Sequence, residues 1–457
     1  MNEQINLTLT ERLARGKALR QRVPRSAHAH WEPAPDRPDP VAMLESSSQG
    51  RVPELIPIRY GRMLPSPFTF FRGSAAAMAF DLAATPATGI HVQLCGDCHL
   101  MNFGGFGTPE RNFIFDVMDF DETLPGPWEW DVKRLAASVV TAARAIGVSE
   151  RHGKEAARAC ARSYRRRMRA FAAMHALDVW YARIDGQALV DMMRAAASRR
   201  RHGQAVTKGG AHTTDHLFPR ITEVVDGHRR FHDNPPLIFH PPHGDRFDAE
   251  VRHFLARYRE TLPDDRRTLL GRYRLVDLAM KVVGVGSVGT RCAVLLLMAG
   301  DDDALILQYK EAGPSVLEPF VGKSRYHNHG QRVACGQRLL QSASDLLLGW
   351  ASDDQGRDFY FRQLRDMKTT VRVDGMSASA LAEYAEMCGW ALARGHAKSG
   401  DPALISGYLG RGDAFDRAVA AFASTYADQT ERDHTAMVQA VRAGRLVAQA
   451  VTEWPRP

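Results

Sequence analysis

Apolar and polar residues follow two different periods along this chain, and each period marks a kind of element. Short unbroken apolar runs, Ile90 to Leu94 and Phe113 to Met118, read as buried strands. Ala293 to Met298 and Ala304 to Lys310 read the same way, joined by the turn Ala299 to Asp303. Elsewhere a helical period takes over. Val132, Leu135, Ala136, Val139, Val140 and Ala143 form one stripe, which predicts a helix after the turn Pro125-Gly126-Pro127 with Asp131 capping its N-terminal end. Similar stripes predict helices over Leu7 to Arg22, Ser74 to Ala84, Glu150 to Met174, Gly186 to Ala197, Gln331 to Leu348 and Ser379 to His396, and two more between Asp413 and Arg445. The Pro- and His-rich stretch Ala27 to Pro40 reads as a linker, so residues 1–50 are expected to form an arm. Arg199 to Asp215 reads as a loop, and the prolines between Asp233 and Gly244 as a boundary between lobes.

The informative chemistry follows the first two apolar runs. Gly96-Asp97-Cys98-His99-Leu100-Met101-Asn102 comes after one, and Asp119-Phe120-Asp121-Glu122 after the other. Carboxylates at the exits of two neighbouring strands converge on one spot, as divalent-metal and phosphate chemistry requires. Asp97 and Asn102 have the D-x-x-x-x-N spacing of a phosphotransferase loop, in which the Asp takes the acceptor hydroxyl proton and the Asn holds Mg²⁺. Asp119 then stands where such enzymes carry a metal-binding Asp, with Asp121 beside it. Other readings compete, among them that these acids simply cap strands and turns, which their joint spacing disfavours. Cys95-Gly96-Asp97-Cys98-His99 fits the C-x-x-C-H of c-type haem attachment, but that needs export, and Met1 to Arg25 lacks the apolar stretch of a secretory signal. A zinc site needs a second ligand pair, and Cys160, Cys292, Cys335 and Cys388 are scattered singly.

On these residues the chain resembles the aminoglycoside and choline kinase branch of the kinase-like superfamily, whose loop reads G-D-x-H-x-x-N before a hydrophobic run ending in Asp-aromatic-x-Asp. It resembles still more closely a bacterial family designated domain of unknown function 2252. That likeness runs through Arg62-Met63, Phe71-Arg72-Gly73, the loop, Pro125-Gly126-Pro127 and Tyr426-Ala427-Asp428-Gln429-Thr430. The resemblance implies a two-lobed α+β fold with a mainly helical larger lobe, an ATP and Mg²⁺ requirement, and an Asp131 that braces the catalytic loop from beneath. Within the same likeness His99 is grouped with Asp97 as catalytic and expected mainly to brace the loop.

The second motif carries the main inference about connectivity. Gly284-Val285-Gly286-Ser287-Val288-Gly289 is a G-x-G-x-x-G, which also suits dinucleotide folds. A dinucleotide fingerprint opens a helix, whereas here two β-like runs follow and the second ends in Lys310, the order of a kinase glycine loop and phosphate-binding lysine. In ordinary kinases these precede the catalytic loop. Here they come almost 190 residues after it, so a circular permutation is expected, with Gln331 to Leu348 as the helix following the lysine, Phe359 to Leu364 as the strand entering the hinge, and Ala391 to His396 ending the helix that normally leads into the loop. That expectation divides the chain into residues 1–50 (arm), 51–245 (catalytic loop and metal site), 246–366 (small nucleotide lobe) and 367–457 (helices completing the large lobe). Gln331 to Leu348 has no glutamate to pair with Lys310; Glu311 and Glu318 lie nearby, and Glu318 is the expected partner.

Composition narrows the setting. The chain has 457 residues, 44% hydrophobic and 25% charged, without an apolar run of membrane length, and its scattered cysteines suit a reducing cytoplasm. The net charge of +8 comes largely from arginine clusters such as Arg165-Arg166-Arg167 and Arg199-Arg200-Arg201. Without interleaved aromatics these favour a solvated or phosphate-holding face over a nucleic-acid site. The expected activity is transfer of a phosphoryl group from ATP to a small-molecule hydroxyl. A nucleotidyl transferase or a non-catalytic nucleotide-binding regulator is the alternative. Arg62 and Arg72 are expected either at a substrate anion or on the surface.

Overall fold

The computed structural model describes residues 7–186, 218, 221–241, 245–282, 284–300, 303–364 and 368–451. The helix expected from Gly186 and the loop expected from Arg199 lie, from residue 187 onward, outside the described residues. The architecture is mixed α+β, with long helices and several antiparallel sheets. In chain order the strands are β1 (His91–Leu94), β2 (Phe103–Gly107), β3 (Phe113–Val117), β4 (Leu124–Pro127), β5 (Ile184–Asp185), β6 (Thr222–Val225), β7 (His228–Phe231), β8 (Ile238–Phe239), β9 (Arg274–Lys281), β10 (Cys292–Ala299), β11 (Asp303–Ala312), β12 (Gly349–Ser352), β13 (Asp358–Gln363) and β14 (Thr369–Thr370).

The largest sheet runs β12-β13-β11-β10-β9-β8. Its central strand β10 is apolar at every position because both faces are covered. Side chains alternate across a strand, so Ala293, Leu295 and Leu297 pack with Phe254 and Tyr258 of the helix Asp245–Glu260 on one face. Val294, Leu296 and Met298 pack with Ile221 and Phe231 on the other. The sheet starts at β8, before the residue 246 expected as the edge of this region.

The helical body is built around Trp128–Ala145. Its stripe predicts one buried face, yet Trp128 to Ala143 is buried on all sides, against Glu150–Ala172, Ala378–Ser399 and Ala414–Arg442. A helix enclosed in this way must pair its polar residues internally. Glu129 accepts from Thr88 N and Oγ1 (2.8 and 2.6 Å), while Asp131 and Arg134 turn to the loop described below. The two helices expected between Asp413 and Arg445 are one helix, Ala414–Arg442, because no Gly or Pro interrupts the stretch. Conversely, the helix expected over Gln331 to Leu348 is His329–Leu340, and the chain turns extended at Gln341.

The stretch expected as an arm lies against this body. Helix Leu9–Arg22 crosses Pro402–Leu409 at two glycines: a Cβ on Gly16 would collide with Leu404 O and one on Gly407 with Leu13 O. His28 and Trp31 are buried, and Arg37 bridges Asp81 (2.7 Å) and Asp433 (2.7 Å). No helix among the described residues is long and apolar enough to cross a membrane.

Candidate functional site

Two antiparallel ladders bring the acidic clusters together. In β1 and β4, Leu94 pairs with Leu124, so Asp97 leaves the ladder at the end where Asp121 and Glu122 enter it. In β2 and β3, Phe103 pairs with Val117, which sets Asn102 opposite Met118 and next to Asp119. Met118 N donates to Asn102 O at 2.8 Å, extending the β2–β3 ladder by one position, and Thr123 Oγ1 donates to Leu94 O at 2.6 Å at the end of the β1–β4 ladder. The two strands expected to be neighbours, β1 and β3, therefore lie in different sheets, each paired with its own partner. Gly96 makes the close approach possible. Its φ is +84°, and a Cβ there would collide with Glu122 O.

Beneath the loop, Asp131 does what the resemblance implies. Its carboxylate accepts from Cys95 N (2.8 Å) and Gly96 N (3.1 Å), not from the free amides of its own helix. His396 Nε2 lies 3.2 Å from the same carboxylate and its Nδ1 meets Tyr164 Oη at 2.9 Å. Further along, Asn102 Nδ2 donates to Asp97 O (2.6 Å), and Tyr384 Oη donates to Leu100 O (2.8 Å) and Phe103 O (3.1 Å). Asp97 Oδ1 accepts from Arg134 Nε at 2.8 Å and from Arg134 Nη2, and Arg134 also donates to Phe71 O (3.0 Å). His99 is buried, with Nε2 3.7 Å from Asp97 Oδ2. Burial pushes its pKa down to about 3, against the pull of Asp97, so it stands neutral beside the loop.

The large sheet closes over this loop. The segment Gly284 to Gly289 joins β9 to β10, and Arg51 Nη1 donates to Val288 O at 2.6 Å. Gly289 has φ +90°, a turn conformation. Gly284 and Gly286 differ: a Cβ on Gly284 would touch nothing within 4 Å, and one on Gly286 would make only ordinary contacts with Arg72 O (3.7 Å) and Asp97 Oδ2 (3.8 Å). Internal packing does not require glycine at either position. The Gly286 position faces the Asp97 carboxylate.

Ser287 Oγ donates to Asp121 Oδ2 at 2.7 Å, Lys310 Nζ reaches the same oxygen at 3.3 Å, and Tyr360 Oη donates to Oδ1 at 2.6 Å. Burial opposes the Asp121 charge, but Lys310, Tyr360 and Ser287 together hold its carboxyl well below the ordinary range. Burial likewise opposes the Lys310 charge, and Asp121 more than compensates, so the ammonium is kept. Asp119 is pushed the other way, raised by burial and by the adjacent Asp121 charge. The partner of Lys310 is thus Asp121, not Glu318, whose charge bears on Arg332 and His329. On the helix His329–Leu340, the residue facing the site is Arg332, which donates to Asp121 O (2.8 Å), Thr123 O (2.8 Å) and Gly313 O (2.9 Å).

Of the expected site residues, Asp97, His99, Asn102, Asp119, Asp121, Gly286, Ser287 and Lys310 therefore gather in one place, and Glu318 does not pair there. Arg134, Tyr360 and Arg332 were not foreseen. A profile of the bacterial family described as "Uncharacterized protein conserved in bacteria (DUF2252)" matches residues 51–440. The chain belongs to that family. The matched stretch carries the whole gathered site, from Asp97 to Lys310, together with His396 of the supporting layer. No curated protein and no solved structure matches the chain.

Proposed function

We propose that this family member is an ATP- and Mg²⁺-dependent phosphotransferase with a circularly permuted, kinase-like frame, acting on a small-molecule hydroxyl in the cytoplasm. The observation that carries the reading is the meeting of Ser287 and Lys310, from the glycine-loop sheet, with Asp121 of the catalytic-loop body, 166 and 189 residues away in the chain. Residue 399 adds to it. Ser399 Oγ accepts from Gln93 N at 3.2 Å, so the helix that precedes the catalytic loop in an unpermuted kinase ends beside β1, the strand that leads into the loop here.

The residues suit the cofactors. Asn102, Asp119 and Asp121 are hard oxygen donors of the type Mg²⁺ takes. Lys310 and the amides of Gly284 to Gly289 would hold phosphates, and Gly284 and Gly286 leave room for them. Bound Mg²⁺ would supply charge neutralisation at the transferring group. Asp97 would orient the acceptor hydroxyl and accept its proton through Oδ2, since Oδ1 is engaged by Arg134. His99, neutral, would hold the loop in shape.

A second reading, nucleotidyl transfer from the same frame, draws on that Arg134 contact, because a carboxylate held by a guanidinium orients better than it deprotonates. Calorimetric titration of MgATP into wild type and Asp119→Ala, with the product nucleotide identified by mass after incubation with a metabolite extract, tests both. Binding lost in the variant together with ADP formation is the expected result. AMP and pyrophosphate would select nucleotidyl transfer, and a folded wild type that binds no MgATP would end the kinase-like reading.

A further inference from the structure

A C-x-x-C pair supplies half of a zinc site, and in the sequence nothing nearby supplies the rest. The fold does. The Sγ atoms of Cys95 and Cys98 and an Asp131 carboxylate oxygen all lie within 4.8 Å of one another, and all three residues are buried. His396 Nε2 stands 3.2 Å from Asp131 Oδ2. Two thiols and a carboxylate are three donors of the kind a structural zinc centre takes, and His396 stands behind the carboxylate as its hydrogen-bond partner. Tyr164 Oη meets its Nδ1 at 2.9 Å, which fixes the imidazole as the outer partner of a ligating carboxylate.

The plainer account makes Asp131 and His396 a brace for the loop and the cysteines small core residues. It explains the hydrogen bonds to Cys95 N and Gly96 N but not why two sulfurs face a carboxylate in a dry core. Haem attachment through the same pair does not fit, since both sulfurs sit inside the main apolar core.

We propose that Cys95, Cys98 and Asp131, with His396 holding the carboxylate from behind, bind one zinc-type divalent ion directly beneath the catalytic loop. Binding releases the two thiol protons to solvent and forms two metal–thiolate bonds. The amides of Cys95 and Gly96, already on the carboxylate, offset the excess negative charge. The ion would clamp the turn carrying Gly96 and Asp97 from below, apart from the Mg²⁺ site above. This inference does not depend on the proposed activity.

The test is metal analysis of the full chain purified from zinc-supplemented cells without chelator, followed by replacement with Co²⁺. One equivalent of zinc per chain and a cobalt spectrum with thiolate charge-transfer bands are expected. Cys98→Ser should lose the metal, Cys292→Ser should keep it, and His396→Ala should weaken binding by about tenfold or more. Should Cys98→Ser fail to fold, the cobalt spectrum of wild type decides alone. A wild type that takes up neither metal, a cobalt spectrum without thiolate bands, or equal zinc in Cys98→Ser and wild type would overturn the proposal.

Discussion

Lys310 Nζ stands 3.3 Å from Asp121 Oδ2, so the phosphate-binding lysine candidate finds its counter-charge two residues beyond the expected metal aspartate and not on the following helix. Both groups are largely buried, and removing one strands the other. Lys310→Met and Asp121→Asn should each lower the urea midpoint, and each should weaken MgATP binding by about tenfold or more, or about 1.4 kcal/mol. The double variant should regain stability without regaining binding. A double variant as unstable as the sum of the singles would mean that the pair is not coupled.

Arg134 holds Asp97 and the Phe71 carbonyl at once through a planar fork. Lysine carries the charge but cannot make both contacts. Arg134→Lys should reduce kcat by about 10- to 100-fold while KM for ATP stays near wild type, because only the orientation of the acceptor group is disturbed. Steady-state kinetics with the identified acceptor checks this. A change confined to KM for ATP would place Arg134 in nucleotide binding instead.

Arg394 donates to both Asp116 oxygens at 2.8 Å, and each side chain is only 1% exposed. Asp116 also accepts from Ser342 N (2.9 Å) and Oγ (3.0 Å), so one carboxylate joins β3, the segment after the Arg332 helix and the helix Ala378–Ser399. Arg394→Met should cost about 3–5 kcal/mol in equilibrium unfolding, the usual penalty for leaving a buried charge unpaired. A loss below about 1 kcal/mol would mean that water reaches the carboxylate.

His28 Nε2 meets Tyr408 Oη at 2.7 Å, pinning the N-terminal segment to the helical body. Burial, then the nearby Lys133 charge, pushes its pKa down to about 3 from an ordinary 6.5. The folded state therefore resists a proton that the unfolded chain accepts. Its contribution is complete above about pH 6.5 and is lost as pH falls toward 3. Between pH 7 and pH 5 this amounts to about 1–2 kcal/mol for wild type, and His28→Gln should flatten that slope. Urea unfolding at the two pH values measures it; equal slopes would assign the acid sensitivity to other groups.

Much of the frame was legible from periodicity. The strand runs at Ile90, Phe113, Ala293 and Ala304 and the helix from Ser379 appear within a few residues of where the apolar pattern puts them, because each buries the residues that define the pattern. Asp97 with Asn102 was legible as well, since the contact is local in sequence. Contacts across long separations were not. Arg134 lies off the apolar stripe of its helix, where an arginine reads as a surface residue, and only tertiary enclosure turns it to Asp97. Asp121 as the lysine partner, and His396 beside Asp131, pair residues 189 and 265 apart, and no local spacing signals them. The division of β1 and β3 into separate sheets was hidden for the same reason, because strand runs do not state their partners.

Tyr384 secures the carbonyls of Leu100 and Phe103 from 284 residues downstream, and the helix that carries it leaves the ribosome late. At about 5–20 residues per second, the loop with Asp97 is synthesised about 15–60 s before the helix that fastens it. Through the first three-quarters of that interval the nascent chain has its acidic residues but not Lys310, and throughout it lacks the Tyr384 anchor. Chain order thus works as a delay, and the gathered acidic site assembles only when synthesis of the whole body is nearly finished.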